Sequence, residues 1–458
     1  MSQESSKNRF VFESFGLNKE AKTAEFNYSI RKNGEDIVFT ERLSFPKDME
    51  WQNVPDEALN EMLLTIHLAL GTSYWKLYCP SDIRIAEASL SKDQAKFWNR
   101  VYTDGMGEFY YNNKLDFRNL VKFPSVAEAM EGRPVSSAPI LNTKYHIPNT
   151  RSLLFFGGGK DSWTSAELLK RAKKKFTFFA VVAGKSELLK ETLPKGSIIV
   201  GRQVDPLLLE LSKQGGVYKG HVPISMIWAM IGELAAMLYG FKYVIASNEK
   251  SASYGNVDYL GLEVNHQWSK SLEAEKMLQD YTKKFITPSV TYFSLLRPLY
   301  EIKIVELFSR LGKKHFDYFT SCNRNFRMED KKAKSKWCGE CPKCAFVFLM
   351  LAVFLPKKKL VSIFGKNLLD DATLTPLFKE LLGLENFKPF ECVGTSDESL
   401  YAMYKVIESG EYVDDAVVKA LVAEIDPPSL KLWRARKNLF KTHKEHLIPR
   451  EFLNVIKN

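Results

Sequence analysis

Three consecutive glycines, Gly157, Gly158 and Gly159, stand between the apolar run SLLFF and the amphipathic stretch WTSAELL, with Lys160, Asp161 and Ser162 between them and the latter. Strand, glycine loop and helix in that order leave few folds open. Glycine lets backbone approach an anion without a Cβ in the way, and a helix N-terminus presents unpaired N–H groups with a partial positive charge. Lys160 adds a full charge and Ser162 a hydroxyl donor. A Walker loop is excluded because Lys160 is followed by Asp161, and a dinucleotide fingerprint because Ser162 stands where its third glycine belongs. Further apolar runs at 176–183, 196–204 and 241–247 alternate with helical patterns at about 161–174 and 224–239. That alternation predicts an α/β fold with a doubly wound parallel sheet, whose ligands sit at the carboxyl ends of the strands.

At 458 residues the chain exceeds what one core organises, and four parts are expected. Residues 1–148 read as an N-terminal α+β domain, with Asn33-Gly34 as a hairpin signal and a helix from about Asp56 to Leu77. Residues 149–320 form the nucleotide domain, 321–355 a cysteine knuckle, and 356–458 a helical C-terminal region. An apolar content of 45% with 26% charged residues argues against disorder. The net charge of +11 suits a partner rich in phosphate or carboxylate. Its lysines fall in scattered clusters without the interleaved aromatics of a nucleic-acid platform, so no stable nucleic acid partner is expected. The longest apolar run, Ala345 to Leu355, is well short of the roughly 20 residues a membrane span needs, and the N-terminus lacks a secretory pattern. A soluble, cytoplasmic protein is the expectation.

Four of the six cysteines crowd into Cys322 and Cys338-x2-Cys341-x2-Cys344. Gly339 and Pro342 permit the tight turns by which these thiolates can face one tetrahedral ion, predicting a structural zinc site; an iron–sulfur cluster and plain reduced thiols remain open. Cys79 and Cys392, standing alone, read as small buried hydrophobes.

The polar segment Ser247–Lys276 follows the run FKYVIA, where it lines the crevice of such a sheet. Glu249, Glu263 and His266 are its groups suited to general acid or base work, or else structural hydrogen-bonders. Arg297, just before Pro298 at a helix entrance, is placed to fork onto phosphate or carboxylate, or to form a salt bridge, and the same alternatives hold for Arg324 and Arg327.

The glycine loop resembles the Ser-Gly-Gly-x-Asp-Ser loop of the PP-loop ATP pyrophosphatases (adenine nucleotide alpha hydrolase-like), with Gly157 in place of the first serine. That resemblance implies ATP as the nucleotide, and makes Asp161 a magnesium ligand where its residue type alone would equally make it a helix cap. A similar zinc cluster accompanies the loop in the deazapurine nitrile synthase of the queuosine pathway. Taken together, FFGGGKDS, SNEKSASYGN, GLEVNHQWSKSLEAE, YFSLLRPL, SCNRNFR and WCGECPKCAFVFL, with a fainter echo at PFECVG, resemble the UDP-N-acetylmuramoyl-L-alanyl-L-glutamate epimerase family. Enzymes of that family invert the terminal glutamate of a peptidoglycan precursor, a nucleotide-sugar peptide, consuming ATP and Mg2+ and releasing AMP and pyrophosphate. The resemblance implies an acyl-adenylate at the Gly157–Ser162 loop, and His266, Glu263, Glu249 and Arg297 are the candidates for its catalysis. Competing readings are a PP-loop enzyme modifying tRNA or a deazapurine, and a zinc-containing nucleic-acid binder with an idle loop.

Overall fold

The computed structural model describes residues 8–125, 147, 150–184, 192–326, 335–425 and 437–456. Strands β1 (Arg9–Asn18), β2 (Thr23–Lys32) and β3 (Glu35–Ser44) form an antiparallel meander. The β2–β3 hairpin turns on Asn33 and Gly34, both with positive φ (52° and 91°), the backbone that a two-residue turn of matching twist requires. β4 (Asp82–Ile85) pairs parallel to β1.

β5 (Ser152–Phe155), β6 (Phe176–Ala183), β7 (Ile198–Gln203), β8 (Tyr243–Ala246) and β11 (Thr291–Ser294) are mutually parallel; β9 (Val257–Tyr259) and β10 (Leu262–Val264) make a separate hairpin. The whole is a mixed α/β architecture built on one nine-stranded sheet in the order β11-β8-β5-β6-β7-β3-β2-β1-β4. The two halves meet where β3 pairs antiparallel with β7. Gly201 makes that seam possible, since a Cβ there would come within 2.4 Å of Ser44 Oγ. Behind it Arg202 donates to Glu41 at 2.5 Å, and both side chains are buried.

The apolar runs are continuous because both sheet faces are covered. Leu153 and Val244 turn into one core, and the adjacent Leu154 and Ile245 into the other. Helix Ile224–Tyr239 is apolar nearly all round because it lies between the sheet and helix Asp56–Trp75. On the opposite face, helix Glu301–Leu311 packs with the C-terminal helices, among them Pro342–Ala352 and Ser396–Ser409. Among the described residues no helix is long and apolar enough to cross a membrane.

The sequence reading places no strand at 291–294, where TYFS is too short and mixed to show a period; pairing with β8 makes it one. From β7 inward, the parallel strands run third, second, first, fourth, fifth in chain order. The order therefore reverses between β5 and β8. Connections leave that point to opposite faces, so a crevice opens above the carboxyl ends of these two strands.

Candidate active site

Both polar segments singled out in the sequence begin at that crevice. The glycine loop leaves β5 and enters helix Lys160–Arg171, whose N-cap Gly159 supplies no side-chain cap. Gly158 has φ +73°, a left-handed conformation that glycine adopts without strain. Its carbonyl accepts from Thr320 N at 3.1 Å, and a Cβ on Gly159 would lie 2.8 Å from Ser321 Oγ. The segment just before Cys322 thus braces the loop, while Gly157 has open space around it. Ser162 Oγ donates to Gly159 O at 3.0 Å.

Lys160 lies beneath the loop rather than over it. Its ammonium is fully buried, donating to Asp161 Oδ1 at 2.5 Å and to Glu301 Oε2. Lys343 Nζ reaches the other Glu301 oxygen at 3.3 Å. Burial alone would push the Glu301 carboxyl up, but the charges of Lys160 and Lys343 outweigh it and hold the group below its usual range. Close by, buried Glu249 is pushed up to about 7, first by burial and then by the negative charge of Glu301, against the pull of Lys270.

The opposite wall comes from the C-terminal part of the chain. Asn256 Nδ2 donates to the carbonyls of Lys388 and Pro389 at 3.0 Å, and Gln267 Nε2 donates to Val393 O at 3.1 Å. These bonds sew the PFECVG segment onto the polar loop. Half-buried Cys392 thereby meets Lys270 Nζ at 3.0 Å and His266 Nε2 at 3.8 Å. On its far side His266 Nδ1 contacts Glu108 Oε2 at 2.5 Å, and His221 Nδ1 lies 3.2 Å from the same oxygen. Burial works to lower His266, yet its bonds to Cys392 and Glu108 prevail and raise it to about 9. Burial would raise the Cys392 thiol; Lys270 and His266 carry it far below its ordinary value instead.

Of the other residues anticipated from sequence, Glu263 is exposed on the β9–β10 hairpin, accepting from Gly255 N at 3.0 Å. Arg297 is 1% exposed and is not brought to the loop. Its guanidinium is occupied by Glu275 at 2.9 Å, by the Glu249 carbonyl at 2.6 Å and by the Lys270 carbonyl. It clamps the two ends of the polar segment. Arg324 pairs with Glu340 at 2.5 Å, and Arg327 lies outside the described residues.

The sulfurs of Cys322, Cys338, Cys341 and Cys344 all lie within 4.8 Å of one another, Cys341 and Cys344 at 3.4 Å and Cys338 and Cys344 at 3.7 Å. A tetrahedral ion with bonds of about 2.3 Å sets its sulfurs about 3.8 Å apart, so this group fits a metal. It anchors Thr320, which braces the loop, and helix Pro342–Ala352, which carries Lys343.

The MurL N-terminal domain matches residues 1–295 of the chain, and the MurL C-terminal domain matches residues 318–435. The chain belongs to the MurL family. MurL relatives named UDP-N-acetyl-alpha-D-muramoyl-L-alanyl-L-glutamate epimerase include one from Xanthomonas oryzae pv. oryzae, 40% identical over 81% of this chain and 80% of its own length. Those from Micromonospora sp. and Salinispora tropica are 35% and 33% identical, covering 96% and 92% of this chain and 96% and 90% of their own lengths. The MurL N-terminal match contains the glycine loop and His266, and the C-terminal match contains the cysteines and Cys392.

Sequence reasoning missed Glu108, Lys270, Glu301, Lys343 and Cys392. Three of them lie inside motifs that carry the family resemblance without standing out there: Lys270 in GLEVNHQWSKSLEAE, Lys343 in WCGECPKCAFVFL and Cys392 in PFECVG. The others stand in ordinary helical or polar contexts, and only tertiary packing gathers them.

Proposed function

We propose that this member of the MurL family inverts the terminal L-glutamate of UDP-N-acetylmuramoyl-L-alanyl-L-glutamate to D-glutamate in peptidoglycan precursor synthesis, with ATP split to AMP and pyrophosphate. The observation that carries the reading is the placement of an open glycine loop beside a buried acid/base cluster, both over the β5/β8 switch point. On this reading the fold is of the PP-loop type. Amides of Gly157–Ser162 receive the pyrophosphate portion of the nucleotide, and Asp161, partly exposed at the loop, is a ligand for Mg2+.

A free carboxylate makes its α-proton hard to remove, because deprotonation sets a second negative charge beside the first. Joining the carboxylate to AMP as an acyl-adenylate removes that charge and lets the carbonyl delocalise the carbanion. Glu249, with its carboxyl raised near neutrality, carries a proton to or from Cα at the operating pH. His266 and its partners serve the other wall. Arg297 and Glu263 hold the polar segment in shape, and zinc in the Cys322, Cys338, Cys341 and Cys344 site holds the knuckle. Water is kept from the activated acyl group until inversion, and its later attack then cleaves the anhydride to the D-glutamate carboxylate and AMP.

The test is incubation with UDP-muramoyl-L-alanyl-L-glutamate, ATP and Mg2+, with pyrophosphate measured beside chiral analysis of the released glutamate. D-Glutamate formed in step with pyrophosphate is the expected result. Inversion without pyrophosphate would refute the nucleotide's role, and pyrophosphate without inversion the epimerisation.

A further inference from the structure

Cys392 is held as nothing else in the crevice is. A cysteine that only fills space has no need of an ammonium at 3.0 Å and an imidazole at 3.8 Å, the latter aligned from behind by Glu108 at 2.5 Å. Its backbone is fixed as firmly as its sulfur. Lys343 donates to the Cys392 carbonyl, Gln267 to the next carbonyl at Val393, and Asn256 to that of Pro389. Lys270, His266, Lys343 and Lys388 are the charged groups acting on the sulfur, and Glu108 stands behind His266. Lys343 bridges the Cys392 carbonyl to Glu301, and Arg297 ties the Glu249 carbonyl to that of Lys270, whose ammonium meets the sulfur. Glu249 and Cys392 are thus held on segments joined by these contacts.

We infer that the Cys392 sulfur is the catalytic group exchanging the Cα proton on one face of the terminal glutamate, with Glu249 serving the opposite face. The inference rests on the proposed epimerisation. The thiolate takes the proton: the Cα–H bond breaks, an S–H bond forms, and the electron pair passes into the activated acyl carbonyl. Glu249 then gives its proton to the other face, forming the new C–H bond. Cys392 is left as a thiol and Glu249 as a carboxylate, and both recover by exchange with solvent. His266, Glu108 and Lys270 act through the sulfur as positioning residues.

The test uses full-length protein carrying Cys392→Ala or Cys392→Ser, given the L-Glu and D-Glu substrates in deuterated buffer with ATP and Mg2+. Inversion per pyrophosphate released should fall by about 10²–10⁴-fold, the span of one well-placed proton carrier. Residual deuterium entry should be confined to one epimer, through the base that survives. A purely structural lesion would lower pyrophosphate release and exchange from both epimers together. Equal exchange from both epimers in either variant overturns the inference. So does a hydroxylamine-sensitive acyl adduct on Cys392 in the parent, which would make the sulfur a nucleophile. Parent protein that takes up deuterium without releasing pyrophosphate overturns the nucleotide reading alone, and confinement of that uptake to one epimer in Cys392→Ala still supports the thiol. As a check free of turnover, iodoacetamide should label Cys392 in the parent at neutral pH, and His266→Gln should move that labelling to higher pH. Labelling unaltered in His266→Gln argues against the imidazole–thiolate pair.

Discussion

Replacing Glu301 with glutamine removes the negative charge from between two buried ammonium groups, Lys160 and Lys343, and keeps the shape of the side chain. Both lysines then face a neutral amide in an enclosed setting, Lys160 being fully buried and Lys343 6% exposed. Lys160 retains Asp161, whose side chain is 24% exposed, so compensation is partial. Breaking a buried pair from one side costs about 3–5 kcal/mol, chiefly because the partner's charge is left behind. At about 2.1 cal/mol/K per residue, unfolding 458 residues carries close to 1 kcal/mol per degree, which turns that loss into a melting temperature lower by about 3–5 °C. Scanning calorimetry at pH 7 reads it. The double variant Glu301→Gln with Lys160→Met should recover part of the deficit, since it removes one of the stranded charges. The sign with pH is fixed as well. Glu301 is held below its ordinary value of 4.5, so its stabilisation is complete above that pH and is lost on acidification. The gap between parent and Glu301→Gln should therefore close as pH falls below 4.5. A variant melting with the parent at pH 7, or a gap that widens in acid, would refute the electrostatic account.

Glu233 offers the opposite case: fully buried with one bond, from Thr282 Oγ1 at 2.9 Å, its carboxyl is pushed up to about 8 by burial. Between pH 4.5 and 8 the unfolded chain ionises it and the folded one does not, so stability drops as pH rises, and Glu233→Gln should gain a few kcal/mol at pH 8 with little change at pH 4 in urea unfolding. Equal gains at both pH values would refute this. With zinc proposed for the four-cysteine knuckle, a chelator should lower the melting temperature and abolish epimerisation, because the knuckle fixes both Thr320 under the loop and Lys343 beside Glu301. Metal-free protein that melts and turns over like the parent would show the knuckle to be dispensable.

The parallel strands at 152–155, 176–183, 198–203 and 243–246 were legible because both their faces are buried, leaving unbroken apolar runs. The loop and the cysteine knuckle were legible because their chemistry depends on short-range spacing. The opposite wall of the crevice was not. Glu108, His266 and Cys392 come from three distant stretches, and no local period marks a residue whose partners are supplied by the sheet's connectivity. Arg297 shows the converse. Its place before Pro298 left an anion grip and a salt bridge equally open, and its guanidinium is taken up by Glu275 and the carbonyls of Glu249 and Lys270.

The seam between β3 and β7 has a practical consequence for anyone trimming this chain. Without its first 148 residues, β7 would become a bare border of unsatisfied amides and carbonyls, and Arg202 would lose its carboxylate. Such a border templates strand addition from other molecules, so the shortened protein, which would also lose Glu108 from behind His266, should precipitate or pair with itself. The amino-terminal meander is in that sense a built-in guard against self-association, and affinity tags or fusions belong at sites that leave it joined.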